Sequence, residues 1–112
     1  MIIVNYDTFV KLPKGILYCE VEPCVFGEVR IKEETINDGN DWFFSDLTSN
    51  PTYDSDICGE AYDPMVKGID IKPNFNVQTR DGMFDYDRMF LIYSKEDIQL
   101  MIDKLNDINK SE

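Results

Sequence analysis

Ile16-Leu17-Tyr18-Cys19-Glu20-Val21-Glu22 is the stretch from which the fold is read. Its side chains alternate, with Leu17, Cys19 and Val21 on one side and Ile16, Tyr18 and Glu20 on the other, which is the two-residue period of a β-strand. Pro23 interrupts the pattern, and it resumes at Gly27-Glu28-Val29-Arg30-Ile31-Lys32. There Val29 and Ile31 are expected to turn inward, and Glu28, Arg30 and Lys32 to meet solvent. Two such runs, close in sequence, predict an antiparallel hairpin.

Working outward, Met1-Ile2-Ile3-Val4-Asn5-Tyr6-Asp7 lacks the basic region and long apolar segment of a signal peptide and reads as a first strand. Residues 5–12 predict a short helix, capped by Asn5 or Asp7 and stopped by Pro13. Beyond the hairpin, Asn37-Asp38-Gly39 signals a turn. Asp41 to Thr48 predicts a short helix burying Phe43, Phe44 and Leu47 at i, i+3 and i+4 spacing. Thr52 to Pro64 has no period and reads as a long loop. Ile69, Ile71, Phe75 and Val77 are strand-like, with Pro73 marking an edge or a break. Arg80-Asp81-Gly82 predicts a hairpin turn, and Met89-Phe90-Leu91-Ile92-Tyr93 a central strand. Ser94-Lys95-Glu96-Asp97 resembles a capping box. It opens a helix whose apolar residues Ile98, Met101, Ile102, Leu105 and Ile108 recur at helical spacing.

Together these elements predict a single α+β domain over residues 1–112. Its expected form is a small antiparallel sheet of four to five strands, one or two short helices, and a C-terminal amphipathic helix packed on one face. The chain's 112 residues and 12% aromatics suit one globular core rather than an acidic disordered tail.

Charge narrows the function. Twenty-two acids against 11 bases give a net charge of −11, which argues against direct nucleic-acid or anionic-membrane binding. No apolar run is long enough to span a bilayer. Three cysteines without a disulfide-like spacing fit a reducing cytosol, so a cytoplasmic protein is expected.

The absence of histidine removes Ser-His-Asp and Cys-His chemistry and most catalytic zinc sites. No catalytic residue is therefore assigned, and the expectation is a protein that is not an enzyme. Cys19, Cys24 and Cys58 contain no CxxC spacing and lack a fourth ligand, so no metal or cofactor is expected. Asp54-Ser55-Asp56-Ile57-Cys58-Gly59 has the Asp spacing and sixth-position Gly of a calcium loop. Cys58 and Met65, however, occupy its fifth and twelfth positions, where oxygen ligands belong.

Between residues 33 and 63 lie nine acids and no Lys or Arg, so this stretch carries −9 of the −11. Such clustered carboxylates oppose folding by mutual repulsion. Within the irregular 33–66 segment, the residues expected to bind a partner are Glu33, Glu34, Asp38, Asp41, Asp54, Asp56, Glu60 and Asp63, with Tyr53 and Tyr62 as aromatic anchors.

The reading is a small intracellular interaction protein, an inhibitor occupying a basic surface of a partner protein such as a nuclease or a nucleic-acid-binding effector. Immunity proteins against toxins and viral counter-defence proteins share this profile as a class, and nucleic-acid mimicry is one form of it. The alternatives are a carboxylate-based enzyme or cation-binding module using Asp54–Asp63, and an assembly subunit that an exposed apolar patch would reveal.

Overall fold

The computed structural model describes residues 1–49 and 61–110. In chain order the elements are β1 (Ile2–Asn5), α1 (Tyr6–Val10), β2 (Ile16–Glu22), β3 (Val25–Phe26) and β4 (Arg30–Ile36), then a 3-10 turn (Asn37–Gly39) and β5 (Asp41–Asp46). After these come α2 (Tyr62–Val66), β6 (Gln78–Arg80), β7 (Met89–Ile92) and α3 (Lys95–Lys110). The expected α+β class holds, with seven strands among the described residues, in one antiparallel sheet, instead of four to five. Their order is β1-β7-β2-β4-β5-β6, with β3 paired to β2.

The local signals act as expected where chemistry is local. The side chain of Asn5 accepts from Thr8 N–H at 2.9 Å and starts α1. Ser94 and Asp97 cap α3 reciprocally, Ser94 N–H to Asp97 at 2.8 Å and Asp97 N–H to Ser94 Oγ at 3.1 Å. The amino group of Met1 lies 3.0 Å from Asp97. These bonds from Ser94, together with the Met1 amine, hold the Asp97 carboxyl below its usual range.

The core lies between α1 and one face of the sheet. Tyr6, Phe9, Val10, Tyr18, Trp42, Phe44 and Phe90 form it. Phe9 stacks on Phe90 at 4.1 Å and meets Trp42 edge-on at 4.9 Å. Trp42 Nε1–H donates to the Tyr18 hydroxyl at 3.1 Å, so neither polar handle is orphaned in this buried centre. Burial pushes the Tyr18 phenol up. The opposite face buries Leu17, Cys19 and Leu91 as well. β2 is thus central and covered on both sides, and Tyr18 contributes as much as the Leu17–Cys19 side.

Four expectations change. Asp41 to Thr48 is not a helix: its first six residues are β5, sending Trp42 and Phe44 into the core. Short aromatic runs satisfy both periods, and packing against Phe9 and Phe90 decides between them. Residues 69–77 form no strand, and β6 begins only at Gln78. Arg80-Asp81-Gly82 does not close a hairpin, because β6 pairs with β5 whereas β7 lies between β1 and β2. Lys32 points inward and is wholly buried, its ammonium donating to Leu12 O at 2.9 Å, Glu33 O at 3.3 Å and Thr35 Oγ1 at 2.6 Å. Desolvation holds that ammonium below the usual lysine range.

The C-terminal helix forms, but its apolar stripe is only partly covered. Ile98 and Met101 are half-buried, whereas Ile102, Leu105 and Ile108 remain exposed. Among the described residues, no helix is long and apolar enough to cross a membrane.

Candidate functional site

The β2–β3 connection is two residues long, Pro23-Cys24, and Cys24 takes a positive φ of 64°. Pro at the first turn position and a left-handed residue at the second is the pattern of a type II turn, with Cys where Gly is usual. Beyond the turn the register slips. Val21 pairs with Phe26 and Tyr18 with Arg30, so Cys19 and Glu20 face three residues, Gly27 to Val29. This is a β-bulge, which bends the strand and re-aims side chains. Gly27 is required there: its N–H bonds to Glu20 O at 2.8 Å, and a Cβ would sit 3.1 Å from the same oxygen.

The bulge and the approach to β7 enclose a groove of about 490 Å³. Five carboxylates line it, Glu20, Glu22, Glu28, Asp85 and Asp87, with one cation, Arg88, and the apolar Val21, Val25 and Met89. Arg88 is already committed. Its two terminal nitrogens grip Asp81 at 2.9 and 2.7 Å, one of them reaches Glu20 at 2.6 Å, and the guanidinium lies 5.1 Å over Trp42. Although burial alone would lower it, the hydrogen bonds and charges of Asp81 and Glu20 hold the guanidinium above its ordinary range. Glu20 also lies 3.9 Å from Arg30, which pairs with Asp46 at 3.2 Å. Glu22, Glu28, Asp85 and Asp87 form no ion pair among the described residues. The groove therefore presents uncompensated negative charge beside apolar side chains, which suits a lysine or arginine side chain.

Of the ten residues expected to bind a partner, the six that are described are dispersed, and none of these six lines the groove. Glu34 and Asp38 are exposed, Glu34 lying 3.8 Å from Lys14. Asp63 and Tyr62 are exposed on α2. Glu33 is half-buried and accepts from Ser45 Oγ at 2.9 Å. Asp41 is 1% exposed, accepting N–H bonds from Trp42 and Gly82 at 2.9 Å each and a further bond from Arg80 Nε. It is a structural acceptor and cannot meet a partner where it lies. Tyr53, Asp54, Asp56 and Glu60 lie outside the described residues, as does the Asp54–Gly59 calcium-loop pattern.

The chain matches no known family model, no curated protein and no solved structure.

Among the described residues, no group of three or more His, Cys, Asp or Glu is placed to hold a metal ion. Cys19 is buried and lies 3.8 Å from the Tyr93 hydroxyl, while Cys24 is exposed at the hairpin tip. The groove acids were missed because Glu20, Glu22 and Glu28 are far in sequence from Asp85 and Asp87. Only the Val21–Met89 pairing of β2 with β7 brings them together.

Proposed function

We propose that this chain is a non-enzymatic interaction protein whose acidic surface occupies a basic surface of a partner protein, with the groove at the β2–β3 hairpin as the docking element. The observation that carries this reading is the four carboxylates at the groove without an ion pair, beside an arginine already held by Asp81 and Glu20. A negative charge of −11 steers a basic partner towards the molecule, and the apolar side chains of the groove supply contact once it arrives. Partners of this kind include nucleases and nucleic-acid-binding effectors, whose basic surfaces an acidic inhibitor would cover in a cytoplasmic setting. Mimicry of a phosphate backbone is the form this inhibition takes if the covered surface is the nucleic-acid site itself.

The test compares the wild-type chain with a Glu22→Gln, Glu28→Gln, Asp87→Asn triple variant, each immobilised in extract from source cells. A basic protein should be retained by the wild type at low salt, released at high salt, and lost by the variant. With the purified partner, the variant's association rate should fall about tenfold or more. The melting curve should be unchanged, because these side chains are exposed. Equal capture by both chains would remove the groove from the reading.

A further inference from the structure

Residues 81–88 carry the chain from β6, at one edge of the sheet, to β7, with β5, β4 and β2 lying between them in the strand order. Gly82, Met83, Asp85, Tyr86 and Asp87 are exposed, so this crossover is not held by burial of its middle. Its first and last residues clasp each other instead. The Arg88 guanidinium takes both carboxylate oxygens of Asp81 in a fork, at 2.9 and 2.7 Å, and Asp81 N–H is bonded to Trp42 O at 2.9 Å. Arg88 Nε also donates to Asp85 O at 3.2 Å, and Tyr86 meets Tyr6 edge-on at 4.9 Å. Phe84 sits at a φ of 52°, a left-handed conformation that costs a bulky residue energy and persists only where the surroundings impose it. The clasp is what imposes it.

The same guanidinium reaches out of the crossover to Glu20 on β2, at 2.6 Å. It thereby joins the two sides of the acidic groove, Glu20, Glu22 and Glu28 on the hairpin and Asp85 and Asp87 on the crossover. Like charges on facing sides repel, and Arg88 is the cation in the lining that offsets them. Its side chain is 8% exposed and that of Asp81 2%, so water screens the clasp little.

We infer that Arg88 is the positioning residue of the groove, a staple that sets the spacing at which Asp85 and Asp87 face the hairpin acids. A partner's lysine or arginine then meets both sides at once. The inference rests on the reading of the groove as a docking surface and adds what holds that surface in shape. It also opposes a simpler account. If Arg88 only dilutes the charge of the groove, neutralising it should tighten the binding of a cation. If Arg88 is the staple, neutralising it should loosen that binding, although the groove becomes more negative.

Fluorescence anisotropy of a labelled tetra-arginine peptide at low ionic strength, with amide hydrogen exchange on the same proteins, tests this. Arg88→Gln should weaken the peptide about fivefold or more, the coupling expected between a site and the element that shapes it. That variant strands the buried Asp81 carboxylate and should melt earlier. Arg88→Gln with Asp81→Asn removes the stranded charge, and should keep the fold while still binding more weakly than wild type. Arg88→Lys, which keeps the charge without the fork, should fall between. In the double variant the amides of residues 82–87 should exchange faster, while those of β2 and β7 keep their protection. Peptide binding that is unchanged or tighter in both the single and the double glutamine variants, or exchange at 82–87 no faster than in wild type, would overturn the staple. A wild type that binds the peptide no better than the Glu22→Gln, Glu28→Gln, Asp87→Asn variant would overturn the docking reading itself, and the exchange result would then decide the staple alone.

Discussion

Replacing Asp41 by Ala separates two accounts of a buried carboxylate. Asp41 touches Arg80, but Arg80 is half-exposed, and ion pairs of that kind contribute about 0–1 kcal/mol. The other two donors are backbone N–H groups. That of Gly82 can turn to water, because Gly82 is exposed, whereas Trp42 is 0% exposed and its N–H would be orphaned. Leaving a buried donor unsatisfied costs about 1–3 kcal/mol. Adding the modest Arg80 contribution gives about 1–4 kcal/mol for Asp41→Ala, while Arg80→Ala should cost under about 1 kcal/mol. Urea titration followed by the fluorescence of Trp42, the single tryptophan, reads both directly.

The effect should also depend on pH in a defined direction. Burial tends to raise the Asp41 carboxyl, but the bonds from Arg80, Gly82 and Trp42 outweigh it and hold the group below its usual range. A depressed folded-state value means that the stabilisation is complete above the unfolded value, about 4, and is lost as pH falls through the folded one. The gap between wild type and Asp41→Asn should therefore be constant near neutrality and narrow in acid. Equal costs for Asp41→Ala and Arg80→Ala, or a gap that widens on acidification, would refute the assignment of Asp41 as a backbone acceptor.

Two further outcomes are expected. Leu105→Ala should change monomer stability by less than about 0.5 kcal/mol, as surface substitutions do, whereas Phe90→Ala, at a 0% exposed core position, should cost about 3–5 kcal/mol in the same titration. A thiol reagent followed by peptide mass spectrometry should label Cys24 in the native protein but Cys19 only after unfolding, and equal labelling rates would contradict the packing of β2.

What could be read from the sequence was what neighbouring residues decide. The period of β2, the Asn5 cap and the Ser94–Asp97 capping box depend on groups a few positions apart, and each is found where expected. Lys32 was misplaced because alternation says which residues share a face, not which face finds acceptors for an ammonium. The Met89–Tyr93 run signalled burial, but continuous apolar residues carry no record of their strand partners, so the groove between residues 20–28 and 85–89 stayed hidden. The stripe on α3 was visible too. Amphipathicity shows that a helix has an apolar face, and not whether its own chain covers that face.

The position of β7 also constrains the order in which the molecule can assemble. β1 and β2 do not pair with each other. β7 is inserted between them, pairing Ile2 with Ile92 and Tyr18 with the same Ile92 from the other side. Phe90 of this strand completes the stack with Phe9 and Trp42. A nascent chain that has released β1 through β5 therefore exposes an unfilled slot and an unfinished aromatic centre until residue 92 is available. Closing loops of that length comes before any contact rewards them, so folding is expected to be slow for a domain of this size and to follow, rather than accompany, synthesis of the first four-fifths of the chain.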